Sequence, residues 1–178
     1  MHYKQYLLGA IVAFGLSSCV QPSLSGNGYD ITVPLSSVNS GMEKSFPQKQ
    51  KMKYGTLLIE KPDLLAKKSE DTLGVGTAFT FSNRLIPNGI KGKAALSGGL
   101  RFDANTKSVY LANPMIDELK FQDFALSSYI TPQIRSLIGT VIAKQLQDKP
   151  LYTVEKMGAS LIKNVSVKNG DLVLSVGL

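Results

Sequence analysis

Histidine and cysteine are almost absent from this 178-residue chain, which has one of each, His2 and Cys19. Beyond residue 19 there is neither an imidazole nor a thiol. Ser-His-Asp and Cys-His nucleophilic catalysis are thereby excluded from the rest of the chain. So are the usual zinc sites, which take His or Cys ligands, and any disulfide within one chain. Stability must come from an apolar core. Long apolar runs are scarce as well. Residues 7–16 form one, interrupted only by glycine. It is too short to span a bilayer, which takes about 20 apolar residues. Acid is the scarcer charge, with 13 Asp and Glu against 20 Lys and Arg and a net charge of +7.

What is present begins with an export pattern. Residues 1–6 are polar with one cation, Lys4, and the apolar run follows. It ends in Leu16-Ser17-Ser18-Cys19, small residues before the single cysteine. A positive start, an apolar centre and a small-residue end make a signal peptide. Leu-Ser-Ser-Cys resembles the lipobox of bacterial lipoprotein precursors. That resemblance implies cleavage after residue 18 and acyl chains on Cys19. Two or more chains hold a protein stably at a membrane, whereas one does so marginally. Val20 follows the cysteine where an inner-membrane retention signal would place aspartate. The resemblance therefore implies an outer-membrane anchor facing the periplasm. Removing 18 of 178 residues leaves 160, enough for one domain. Lys4 goes with them, and +7 becomes +6. Export removes nucleic acid as a partner. Anionic headgroups or polyanionic envelope polymers take its place as the counterpart of the basic charge.

Residues 19–28 are rich in Ser, Gly, Pro and Asn and are expected to form a lipidated flexible tether. One domain is expected over 29–178. Leu35, Val38, Met42 and Phe46 recur at helical spacing after Pro34, which predicts a first helix over about 34–46. The middle alternates with period two. Leu73, Val75, Phe79 and Phe81 alternate with glycine, threonine and serine. Leu96, Leu100 and Phe102 do the same, as do Leu119 and Phe121. Strands covering a core on one face alternate in this way. Gly98-Gly99 inside one strand predicts a bulge or bend, and Pro114 a kink or an edge. Thr131-Pro132 opens the clearest helix, with an apolar stripe of Ile134, Leu137, Ile138, Val141, Ile142 and Leu146. Asn169-Gly170 between two alternating segments predicts a closing hairpin. The fold class is α+β, with helices against an antiparallel sheet.

The chain resembles the YceB-like family of bacterial lipoproteins of unknown function, over roughly residues 29–178. The resemblance lies in Tyr29-Asp30-Ile31-Thr32, in the helix end from Gln145 through Pro150 to Tyr152, and in the hairpin from Val165 to Leu174. It implies a fold like one half of the bactericidal/permeability-increasing proteins. There a strongly curved antiparallel sheet wraps around a long helix, with a shorter N-terminal helix beside it. The seam between helix and sheet holds acyl chains. The resemblance carries over no catalytic residue, cofactor or metal.

Three features are candidates for chemistry. The apolar faces are either dry core or, in part, a ligand groove lined by Phe79, Phe81, Leu100, Phe102, Phe121, Leu137, Ile138 and Val141. Lys49, Lys51 and Lys53 share one face if extended. They are either solvated surface or contacts to anionic headgroups. Ser160-Leu161-Ile162-Lys163 has the form S-x-x-K, but its S-D-N and K-T-G partners are missing, so the match is chance. Glu70-Asp71 and Asp117-Glu118 are adjacent acids, which in a strand point to opposite faces and form no dyad. The expected function is a non-catalytic, membrane-anchored lipoprotein binding a lipid or other apolar ligand in the groove. The alternative is an interaction protein with a closed core that docks an envelope partner. A carboxylate-dependent glycan hydrolase ranks last.

Overall fold

The computed structural model describes residues 20–22, 28–66, 72–154 and 161–177. Residues 1–18, Cys19, Glu70, Asp71 and Ser160 lie outside them. The predicted alternation becomes strands. In β6 (Leu73–Ser82), β7 (Ile90–Asp103) and β8 (Ser108–Phe121), apolar side chains fall on one face. They pair antiparallel in that order. β3 (Gln48–Met52) and β4 (Gly55–Ile59) extend the sheet beyond one half of β6. β5 (Asp63–Ala66) pairs with the other half of β6, and β9 (Tyr152–Thr153) closes the far side on β8.

A second sheet has four strands. The predicted closing hairpin is β10 (Ile162–Lys168) and β11 (Asp171–Gly177). Its two turn residues, Asn169 and Gly170, have φ of 52° and 87°. A primed hairpin turn requires positive φ at both, which is why Asn-Gly marks it. β11 pairs with β2 (Gly28–Pro34), joining the two ends of the chain. β1 (Val20–Pro22) adds to the outer edge of β2, with Val20 opposite Ile31. These three residues were expected in the flexible tether. Pairing satisfies the backbone groups that an open β2 edge would leave exposed.

The predicted 34–46 helix is two pieces, α1 (Leu35–Gly41) and a 3-10 turn over Met42–Ser45. Pro34 offers no capping side chain, and no acid sits in the first turn to favour a longer helix. The apolar spacing still holds, since Val38, Met42 and Phe46 are all buried. A single turn, α2 (Phe124–Ser127), is capped by Asp123, which accepts from the Leu126 N–H at 2.9 Å. α3 (Pro132–Asp148) opens as predicted, with the Thr131 hydroxyl accepting from the Ile134 N–H. Its Ile138, Ile142 and Leu146 are buried. Gly139 lies close to Ile116 of β8, so α3 packs on that strand. No helix among the described residues is long and apolar enough to cross a membrane.

The bend announced by Gly98-Gly99 is carried by the partner strand. β7 and β8 shift register twice, once past Asp117 and once past Asn113-Pro114. Asn113 takes a positive φ of 46° there. Gly98 lies so close to Ala112 O that a Cβ would come within 2.8 Å of it. Both sheets and α3 share one apolar core, from Val33 of β2 to Leu174 of β11, with Leu57, Phe81, Leu96 and Ile142 among its members.

Candidate functional site

The eight residues expected to line a groove do not behave alike. Phe79, Phe81 and Ile138 are fully buried within the core. Leu100, Phe102, Phe121, Leu137 and Val141 are half-buried. Phe79 and Phe121 lie on either side of Gly92, which is opposite both in the register. The two rings meet edge to face, with centroids 5.5 Å apart. A Cβ on Gly92 would reach 2.3 Å from the Phe79 ring and 2.6 Å from Lys120 O, so only glycine fits under that ring. The Arg135 guanidinium of α3 sits 4.7 Å from the Phe121 centroid and donates to Leu119 O at 3.4 Å. This cation–aromatic contact ties the start of α3 to the end of β8.

Leu100 belongs to a different place. With Leu35, Val38, Leu64, Leu73, Val109, Leu151, Val167 and Leu172 it lines a narrow apolar void. The void lies between α1, the closing hairpin and the large sheet. It is too narrow for a water-sized sphere.

The polar candidates are engaged with neighbours. Asp117 accepts from the buried Ser97 hydroxyl at 2.9 Å, and Glu118 pairs with Lys120 at 2.7 Å. Among the described residues, no group of three or more His, Cys, Asp or Glu side chains could hold a metal ion.

Lys49 and Lys51 do share a face. β3 alternates half-buried and exposed residues, and the lysines take the exposed positions. Lys53 follows in the β3–β4 turn and is exposed too. Across the sheet, Lys49 is opposite Leu58, Leu58 opposite Thr80, and Thr80 opposite Lys91. Lys91 and Lys93 are exposed on β7. One end of the outer face is therefore basic on both sides of β4 and β6.

At that end the β3–β4 turn and the β6–β7 loop enclose an open cleft of about 600 Å³. Lys53, Tyr54, Asn83, Arg84, Leu85 and Pro87 are among its walls. The Asn83 side chain accepts from the Leu85 and Ile86 N–H groups at 2.9 Å each. Ile86 is buried, and Gly89 closes the loop with φ of 78°. The loop is thus pinned from inside while Leu85 stays 74 % exposed. Sequence reasoning missed Tyr54, Arg84 and Leu85. Pro87-Asn88-Gly89 has turn-forming residue types, but only the Thr56–Ser82 pairing brings the two tips together.

The fold and these surfaces define an α+β domain of antiparallel sheets with one long packed helix and a basic outer face. The chain belongs to the family described as Protein of unknown function (DUF1439), which it matches over residues 39–170. That span runs from within α1 to the turn of the closing hairpin. The family is uncharacterised, in line with the resemblance to the YceB-like proteins. A search of curated proteins finds no match.

Proposed function

We propose that this chain is a non-catalytic lipoprotein of the bacterial envelope, anchored through acyl chains on Cys19 to the outer membrane and facing the periplasm. In this reading it acts by surface contact with an envelope partner or membrane. The filled interior is the observation that carries it. Phe79, Phe81 and Ile138 are at most 1 % exposed. Ligand pockets commonly measure about 300–1,000 Å³, whereas the interior void does not admit even a water-sized sphere. The absence of histidine and thiol beyond residue 19 supports the non-catalytic part.

A second reading keeps the apolar ligand. It is favoured by that void and by the half-buried Phe102, Phe121, Leu137 and Val141. It requires α3 or α1 to move away from the sheet. The finer fold belongs with it: the sheets curl about α3 as in one half of the bactericidal/permeability-increasing proteins. The two register shifts between β7 and β8 support that curl, because extra residues bend a strand.

Two measurements test these readings. Metabolic labelling with a fatty-acid probe should mark the wild type and not Cys19→Ala. Equal labelling of both would end the lipoprotein reading. Native mass spectrometry of the protein should then show no lipid beyond the acyl chains on Cys19, and a fluorescent fatty acid should not bind. Binding that is lost in Leu137→Trp, with the fold intact, would replace the surface reading with the groove.

A further inference from the structure

We infer that the cleft end of the seven-stranded sheet is a membrane-contacting tip, which sets Leu85 and Tyr54 into the interface of a bilayer rich in anionic headgroups. A leucine held 74 % exposed on a pinned loop gains nothing in water, and Tyr54 is 45 % exposed beside it. Lys53 lies 5.3 Å from the Tyr54 ring centroid, and Arg84 precedes Leu85 in the same cleft wall. Apolar and aromatic side chains flanked by cations match a membrane interface, where the ring sits at headgroup depth and the cations meet phosphate. Charge complementarity extends inward from the tip through Lys51 and Lys49 of β3 and Lys91 of β7, all exposed. Asn83 and buried Ile86 fix the loop shape beforehand, so docking costs little ordering. A protein partner with an acidic, apolar pocket is the competing occupant. The combination of an open cleft and cations spread over two strands fits an extended anionic surface better.

This inference deepens the membrane-held reading and rests on it for its setting. Its test needs no acyl anchor, so its failure leaves the Cys19 labelling result untouched. The chain from residue 20 onward carries every described element and the shared core. It contains no tryptophan, so Leu85→Trp supplies a single reporter. On vesicles of phosphatidylcholine mixed with phosphatidylglycerol, its emission should shift to the blue and be quenched by acyl-chain bromine. A Leu65→Trp reporter on β5, at the other end of β6, should not respond. Replacing Lys53 and Arg84 by alanine should weaken partitioning about fivefold each, the worth of one cation near an anionic surface. Unchanged melting curves show that the variants are folded. No shift at Leu85→Trp, an equal shift on phosphatidylcholine alone, or undiminished binding by the alanine variants would overturn the inference. A shift produced by inorganic phosphate without vesicles would also overturn it, in favour of a free-anion site.

Discussion

The two faces of the seven-stranded sheet come from the same strands and the same alternation, but different forces select their side chains. On the inner face, Leu57, Ile59, Phe79, Phe81 and Ile90 are at most 1 % exposed. Each is held by contacts on all sides, and shape decides what fits. Gly92 shows how strict this is, since any side chain there would collide with the Phe79 ring. On the outer face, Lys49, Lys51, Thr80 and Lys91 stand in solvent or half in it. The three lysines are not held by packing, so charge is what this end of the face has to offer. Stability and contact with the surroundings are thus separated by one residue along each strand.

Phe81→Ala should have the largest effect on this contrast. Removing a fully buried ring costs about 3–5 kcal/mol, from lost transfer energy and the cavity left behind. For a domain of this size that is a fall in melting temperature of about 10 °C. Partitioning onto anionic vesicles, measured on the fraction still folded, should stay near the wild-type value. A Phe81→Ala protein that melts within a degree or two of the wild type would mean that the inner face is loosely filled. The groove reading would then gain ground over the surface one.

The alternation that separates the faces was legible without coordinates. Period two placed β6 and β7, Asn169-Gly170 placed the closing turn, and Thr131-Pro132 placed the start of α3. In each case the signal is local, because one residue type satisfies one backbone requirement. What could not be read depends on residues far apart in the chain. β5 and β9 are four and two residues long and exist because β6 and β8 offer them unpaired edges. β1 is three residues on the edge of β2. The split into two sheets follows from β11 choosing β2, not from any pattern within either. The candidate sites divide in the same way. Exposure of Lys49 and Lys51 followed from alternation. The cleft did not, because Lys53 and Arg84 meet only through the pairing of β4 with β6. Dry core and groove are both open to the apolar faces as sequence, and Phe79, Phe81 and Ile138 are core while the other five candidates are half-buried. Period two tells which face is apolar, not how completely α3 covers it.

The smallest effect on stability is expected from Lys49→Ala combined with Lys51→Ala. Both side chains are exposed on β3, the last strand on its side of the sheet. Exposed substitutions away from packing features usually change stability by no more than about 0.5 kcal/mol each. Together that is at most about 1 kcal/mol, so the melting temperature should move by about 4 °C or less. Their removal should be felt elsewhere. Two cations fewer on the basic end should weaken partitioning onto anionic vesicles, and the loss should shrink as salt is raised, because exposed charges are screened. Lysines on an edge strand also discourage pairing with another chain. The double variant should accordingly be more prone to associate at high concentration, which sedimentation velocity measures independently of lipid. Weaker vesicle binding with an unchanged melting temperature would keep the two faces distinct. A drop in stability matching that of Phe81→Ala would show instead that the outer lysines are part of what holds the sheet together.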